Sequence, residues 1–495
     1  MIAKIIPWFI FAVFGFFLVG NTWQAKLGMI DDHEIVMFLG QDGKIKLNEI
    51  TKIISSTEVG QWGEYPRFRP SYYTLRVLEA TFWKDNAMLW YGTRYLMLVV
   101  CLTLTYLILS RFIPKILSFT IVLYLMTLPL WSDILTRLGP SEIYAAFGLA
   151  LFSFGLMKEK YYLWFIGYLI SVGSKENMLF MLPILLFWLA VKIWNKTISK
   201  KEIILGVVAT LYTAWIIAGI GLATIKIGTD VYGTQISYKD RIMTLWSYKR
   251  YITDTQHLYF SLIATIGMIF VAWKNRDTRK YLIMMLIVGG TVASQYIFYN
   301  NTLPTNMRYD FPGVIALRLL DVISFAWIWS YLSKSNKGRI KGLTLLIAVT
   351  IMANQIYHNG YKRVQNQIVG VVKETGSFDK NITKSVNDLN QDTKKPILIV
   401  ANNYLDYEPI VSISRFLRAR RVSNSMTLYY YGEVTEDDNV LARELETEML
   451  EVMNEGANSK TFFQFSKYID HSDDYYCIIL GSAPPLPACA QSTHF

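Results

Sequence analysis

Apolar stretches close to membrane-spanning length recur through the first 355 residues of this 495-residue chain, and no other feature constrains it as much. A helix needs about 20 apolar residues to cross a bilayer core. Eleven stretches qualify or come near: 1–20, 88–110, 116–131, 142–157, 161–173, 177–195, 203–223, 258–273, 281–299, 312–333 and 342–357. Charged residues are 18% of the chain, against about 25% in soluble domains. Mean hydropathy is +0.27. These values exclude a disordered chain, a coiled coil and a small disulfide scaffold, and they weigh against a soluble enzyme. The first stretch carries one lysine and no clean small-x-small cleavage site, so it reads as a retained span rather than a signal peptide.

Charge gives the topology. Residues 1–359 hold 35 Lys+Arg and 20 Asp+Glu, whereas 360–495 hold 14 and 18. The basic excess therefore belongs to the membrane part and calls for a topological explanation, not a nucleic-acid partner. With the N-terminus inside, Lys4 and the loops 111–115, 158–160, 192–202, 274–280 and 334–341 carry 17 Lys+Arg. The opposing short loops carry three: Arg137, Lys175 and Arg308. Cytoplasmic loops are the basic ones. The long loops 21–87 and 224–257 and the tail then lie outside. The expected fold is an α-helical polytopic membrane protein of about 11 transmembrane helices (1–357) in the plasma membrane, with a C-terminal extracytoplasmic α/β domain (358–495).

Within loop 21–87, Ile45, Leu47, Ile50, Ile53 and Ile54 recur near helical spacing, as do Tyr72, Leu75, Leu78 and Phe82. Two amphipathic helices, lying on the membrane surface or packed on the bundle, are expected. In the tail, 396–401, 426–431 and 475–480 read as strands, and 408–421 and 444–454 as helices. No glycine-rich phosphate loop is present, and Gly481-Ser482 after a strand is too short a signal to use. Cys101 reads as packing; Cys477 and Cys489 can pair if the tail is extracytoplasmic.

Ionisable residues gather on the outer side. They are Asp31-Asp32-His33-Glu34 after the first span, Arg67 and Arg69 at the end of the long loop, Arg137 and Glu142 around Gly139-Pro140, Lys175-Glu176, and Arg308-Tyr309-Asp310. Ionisable groups at membrane depth are costly and usually functional. Carboxylates with guanidinium groups suit a site that binds an anionic phosphate and activates a hydroxyl. Each also has a plainer role: a helix cap for the acid pair, headgroup anchors for Arg67 and Arg69, a loop ion pair for Lys175-Glu176, a structural pair for Arg137 and Glu142. His33 reads as a hydrogen-bonding neighbour, not a metal ligand. Charges inside the spans are few, with Arg318 and Asp321 as the exceptions, spaced to pair on one helical face.

The acid pair after span one, the long first outer loop with surface helices, the Ser174-Lys175-Glu176 step, the Arg-Phe-Arg-Pro run at 67–70 and the Arg-Leu-Gly-Pro-Ser-Glu run at 137–142 resemble the GT-C class of integral-membrane glycosyltransferases. In length and layout the chain is most similar to bacterial members that decorate surface polysaccharide, including serotype-converting glucosyltransferases of O-antigen. The resemblance implies transfer of a sugar, perhaps glucose, from a polyprenyl-phosphate carrier to a glycan or lipid-linked glycan acceptor at the periplasmic face. Asp32 or Asp31 would be the general base, with Asp32 favoured, and Arg67, Arg69, Lys175 and Arg308 would hold the carrier phosphate. His33, Glu34, Glu176, Arg137 and Glu142 would support them. Some such enzymes use a divalent metal; the acids here lack ligand spacing, so no cofactor and no metal is expected. Competing readings are a polysaccharide polymerase or ligase, and a lipid-linked-sugar transporter (flippase).

Overall fold

The computed structural model describes residues 2–126, 128–228, 239, 257–272, 276–298, 308–334, 342, 349–350, 352–353, 356–402, 407–430, 463–465, 474–486 and 489–495. The protein is mostly helical. It divides into two compact units: residues 1–21, 54–75 and 92–368, and residues 22–53, 76–91 and 369–495.

The first unit holds the apolar helices. Among the described residues, five are long and apolar enough to cross a membrane: Ile5–Gln24, Ala87–Leu109, Glu176–Trp194, Lys200–Ile227 and Gly313–Ser330. Helices Lys115–Met126 and Pro129–Thr136 form a sixth if taken as one span bent by 68°. The bend has a local cause. Proline at 129 has no N–H to donate and pushes its predecessor out of the helical region; Leu128 is extended, at φ −61° and ψ 149°. Helix Lys200–Ile227 starts on a capping box, Ser199 with Glu202, and stops at Gly228, whose φ is +78°. Shorter apolar helices occupy Glu142–Met157 and Tyr161–Val172, and further helices His257–Ala272 and Arg276–Phe298. Most of the expected stretch 342–357 lies outside the described residues.

The pair Glu142–Met157 and Tyr161–Val172 packs backbone against backbone. A Cβ on Gly148 would lie 2.6 Å from the Gly167 carbonyl oxygen, and one on Gly167 would lie 2.4 Å from the Phe152 nitrogen. Where lipid removes the hydrophobic drive between helices, such close approach supplies the packing.

The second unit is built on a five-stranded, all-parallel sheet: β1 (Ile397–Ala401), β2 (Met426–Tyr430), β3 (Phe463–Phe465), β4 (Tyr475–Ile479) and β5 (Cys489–His494), in the order β3-β2-β1-β4-β5. One face carries Ile397, Ile399, Met426, Leu428, Tyr476 and Ile478 against Phe378, Ile382, Val386 and Leu389 of helix Lys362–Gln391 and against Ile410, Ile413 and Leu417 of helix Tyr407–Ala419. The other face presents Leu398, Val400, Cys477 and Ile479. Each apolar strand reads as a near-continuous run because both faces are buried. Cys477 and Cys489 form a disulfide between β4 and β5.

Three strands and helix Tyr407–Ala419 fall where the tail pattern places them. The acidic helix expected at 444–454 lies outside the described residues. In the long outer loop, helix Pro70–Trp83 forms as expected, whereas the first amphipathic segment is helical only over Ile50–Ser55. Helix His33–Leu39 was not anticipated; its Val36 joins the sheet unit's core.

Gly167→Leu should splay the glycine-packed helix pair. Overpacking costs about 1–3 kcal/mol, and here the obstacle is backbone, so a loss at or above the upper end is expected in thermal unfolding of detergent-solubilised protein. An unchanged melting temperature would mean the two helices do not meet at these glycines.

Candidate functional site

Four of the segments expected on the outer side meet within the first unit. Glu142, Lys175, Glu176 and Asn177 are all buried to 3% exposure or less. Lys175 Nζ lies 2.8 Å from Glu142 Oε1 and 5.4 Å from the centre of the Tyr309 ring. Arg69 makes a two-pronged bond to Glu58, Nη2 to Oε1 at 2.6 Å and Nε to Oε2 at 3.1 Å. Its Nε also lies 3.7 Å from Glu176 Oε1, and Arg67 Nε reaches the same oxygen at 4.0 Å. Asp133 bridges Arg137 at 3.5 Å and Arg308 at 4.0 Å. Backbone bonds hold the segments in place: Ser71 and Tyr72 N–H donate to the Gly173 carbonyl, Tyr72 Oη donates to the Gly139 carbonyl, and Asn177 Nδ2 donates to the Phe311 carbonyl at 2.7 Å.

Pairing follows from burial. An ion removed from water costs several kcal/mol unless it meets an opposite charge with good geometry. Burial alone would raise the Glu58 carboxyl, but the Arg69 guanidinium outweighs it and holds that carboxyl below the usual range. Among the described side chains of the cluster, five cations (Arg67, Arg69, Arg137, Lys175, Arg308) face four carboxylates (Glu58, Asp133, Glu142, Glu176).

An apolar cavity of about 320 Å³ lies between helices of the same unit, lined by Leu109, Met126, Leu149, Met284 and Leu319 among others. Trp131 and Phe311 line it too, with ring centres 5.9 Å apart. Asp133 follows the first of these closely in sequence, and Arg308 precedes the second. The cavity wall is thus continuous in chain with the charged cluster.

The acidic run belongs to the second unit. Asp32 is 4% exposed, and its Oδ2 accepts the Gly28 N–H at 2.7 Å. Asp31 is half-buried and sits at φ +67°, an uncommon conformation for a residue with a side chain. Its carbonyl accepts from Arg76 Nη2 at 2.8 Å. Glu34 Oε2 pairs with Arg76 Nε at 3.4 Å, and that guanidinium lies 5.8 Å from the centre of the Trp90 ring. Burial, together with Arg415, pushes the His33 imidazole down to about 4.

The expected pairings are rearranged. Arg137 pairs with Asp133, not Glu142, and Lys175 pairs with Glu142, not its neighbour Glu176. Glu58, Asp133 and Arg76 carry no signal in the sequence, because each sits alone without a motif. Arg94, buried in helix Ala87–Leu109 and donating to Tyr144 Oη at 2.5 Å, is a third charge inside a span, beside Arg318 and Asp321. Its signal was present: an arginine within an apolar run. Among the described residues no group of three or more His, Cys, Asp or Glu side chains is arranged to hold a metal ion.

Two measurements test this electrostatic account. Lys175→Met strands a buried carboxylate and should destabilise the fold by about 3–5 kcal/mol. Adding Glu142→Leu should recover most of that loss in a double-mutant cycle; additive losses would show that the two side chains are not paired. For His33, the folded value of about 4 lies below the ordinary 6.5. The unfolded chain therefore binds the proton that the folded unit refuses, and stability present above pH 6.5 drains away as pH falls toward 4, by about 3 kcal/mol. Denaturant melts at pH 7 and pH 4.5 should show this drop, reduced in His33→Gln; an equal drop in that variant would assign the acid sensitivity elsewhere. Comparison of the chain with protein-family models, with curated proteins and with solved structures finds no match.

Proposed function

We propose that this protein is a membrane glycosyltransferase that moves a sugar from a polyprenyl-phosphate carrier to a glycan acceptor outside the cytoplasm. In this reading eleven spans place the N-terminus inside and the sheet unit outside. The observation that carries the reading is the pairing of a cation-rich charged cluster, with Glu142, Lys175 and Glu176 buried in it, with an apolar cavity in one unit. An amphiphile with an anionic head and a hydrocarbon tail has that division of chemistry. A disulfide in the sheet unit also suits an extracytoplasmic location.

In the reaction the bond from the anomeric carbon to the carrier phosphate oxygen breaks. The acceptor oxygen bonds to that carbon and gives its proton to a carboxylate. The phosphate gains negative charge as it leaves, and preorganised cations stabilise it most where water is excluded. Arg308 and Arg67 are assigned to this task first, since their side chains are the most open of the four, 20% and 39% exposed against 10% for Arg69 and 3% for Lys175. Arg69 and Lys175 are held by short bonds to Glu58 and Glu142, and they shape the site. Of the acid pair, the sequence reading favours Asp32. Its burial and its bond to Gly28 suit it to holding the turn. The base is therefore assigned to Asp31, whose left-handed backbone is the kind of strain found at functional sites.

A transporter of lipid-linked sugar is the second reading. The 68° break before Pro129–Thr136 and the Arg318–Asp321 pair at 4.0 Å, inside an apolar helix, favour it.

Purified protein incubated with a panel of polyprenyl-phosphate sugars and cell-envelope glycans should transfer one sugar, seen by mass spectrometry of the acceptor. Arg308→Ala should weaken donor binding by about 1.5–3 kcal/mol, the worth of a charge-assisted hydrogen bond. Asp31→Asn should slow transfer by about 10²–10⁴-fold, while Asp32→Asn should act mainly on stability. No transfer from any carrier, together with carrier movement across proteoliposomes lacking acceptor, would replace this reading with the transporter.

A further inference from the structure

A second cavity, of about 350 Å³, lies in the first unit. Its walls include Ile6 and Ile10 of helix Ile2–Val19, Tyr106 of helix Ala87–Leu109, and Lys115, Ile116 and Phe119 of helix Lys115–Met126. It shares no lining residue with the cavity beside Trp131 and Phe311. All three helices belong to stretches apolar and long enough to cross a membrane, the third as half of the bent pair.

The cavity is a groove at one end of these helices. Ile6 and Ile10 fall in the first half of their helix, Tyr106 near the end of its own, and Lys115 at the start of its own. Phe11, fully buried, forms the floor, with its ring centre 5.6 Å from that of Tyr106 and 5.4 Å from that of Phe119. Ile6, Ile10 and Ile116 are 48%, 39% and 53% exposed, so the groove opens at the surface. Between helices that cross a bilayer, such a surface meets lipid.

The charge in the lining is carried by Lys115, which is exposed. Lys175 and Arg69 each meet a carboxylate, but Lys115 makes no ion pair among the described residues. The segments that build the groove have no acid to offer: residues 1–30 and 86–132 contain neither Asp nor Glu. Arg111, exposed in the turn before the helix, adds positive charge close by in the chain.

This division of chemistry selects the occupant. A lysine stem lies along apolar surface while its ammonium stays at the membrane boundary. Basic side chains at the mouth of a cleft between membrane helices attract anionic headgroups. A zwitterionic headgroup brings its own cation to the same rim, and an apolar helix brings no anion for Lys115. We propose that the groove binds an anionic phospholipid, its phosphate on Lys115 and an acyl chain along Ile6, Ile10, Ile116 and Phe119. The site depends on these helices crossing a membrane; none of the residues assigned to sugar transfer takes part in it.

The test uses full-length protein, purified in detergent and stripped of lipid. It is titrated with phosphatidylglycerol or phosphatidylcholine of identical acyl chains, and adducts are counted by native mass spectrometry. The first phosphatidylglycerol should bind about fivefold or more tightly than the first phosphatidylcholine, the factor expected for one cation near the surface. Lys115→Gln should bring that ratio close to one, and Lys115→Arg should keep it. Ile10→Trp, which fills the groove from an exposed position and should melt like the wild type, should weaken binding of both lipids. Arg308→Ala should leave the preference unchanged, which separates this site from the charged cluster. Equal binding of the two lipids by the wild type, an unchanged preference in Lys115→Gln, or loss of the preference in Arg308→Ala would each overturn the assignment. A wild-type dimer that Ile10→Trp dissociates would overturn it as well, giving the groove to a second copy of the chain.

Discussion

Buried charge governs the membrane unit. Lys175, Arg69 and Arg308 each meet a carboxylate there that comes from another part of the chain. Lys175 and Glu142 illustrate the balance. At 2.8 Å their attraction is about 6 kcal/mol with an effective dielectric of 20, and taking both ions out of water costs a comparable amount. Such a pair adds little net stability. What it does is penalise every arrangement in which the two segments are apart. Glu58 with Arg69 and Asp133 with Arg308 impose the same condition on loop 54–75 and on the turn before helix Gly313–Lys334. The cluster is therefore also the device that sets the order of the loops around the apolar cavity.

This explains what could and could not be read from sequence. Apolar runs and the lysine-rich loops that bound them are local signals, and helices occupy the expected stretches where these fall on described residues, apart from the break at Leu128 within 116–131. The strands 397–401, 426–430 and 475–479 were legible for the same reason: a buried parallel strand is a short continuous run of Ile, Leu, Val and Tyr. Helix Lys362–Gln391 was missed because its apolar residues, Phe378, Ile382, Val386 and Leu389, are spread thinly through a polar segment. The gathering of Arg67, Arg69, Lys175, Glu176 and Arg308 was legible because all five fall in segments between apolar runs that the charge pattern groups together. Their partners were not, since Glu58 and Asp133 are set by three-dimensional proximity. Proximity in sequence misled for Lys175-Glu176: adjacent residues there point to different partners.

Asp31 and Asp32 show how one local sequence supports two different roles. A buried carboxylate that accepts a backbone N–H is fixed in place. Asp32 meets that description through Gly28, and it stands as the residue before helix His33–Leu39. Holding Asp32 inward leaves its neighbour to make the turn, and Asp31 does so with a positive φ. Arg76 reinforces the arrangement, binding the Asp31 carbonyl and the Glu34 carboxylate from one guanidinium that is itself fully buried.

The sheet unit draws on more of the chain than its strands. Val36, from helix His33–Leu39, joins a core whose other buried residues come from 378 onward, with Leu27 and Met29 packed against it, and the backbone N–H of Lys26 donates to Thr375 Oγ1 at 3.1 Å. Early and late parts of the chain are thereby folded as one cooperative body. The acid pair is held against that body by Arg76 and by its place beside His33, so its geometry depends on residues more than 300 positions away in sequence. Removing the C-terminal region would strip Val36 and Lys26 of their partners and leave the turn at Asp31 without the core that pays for its strained backbone. The tail is for that reason part of what positions the acidic residues, and not an appendage to the membrane helices.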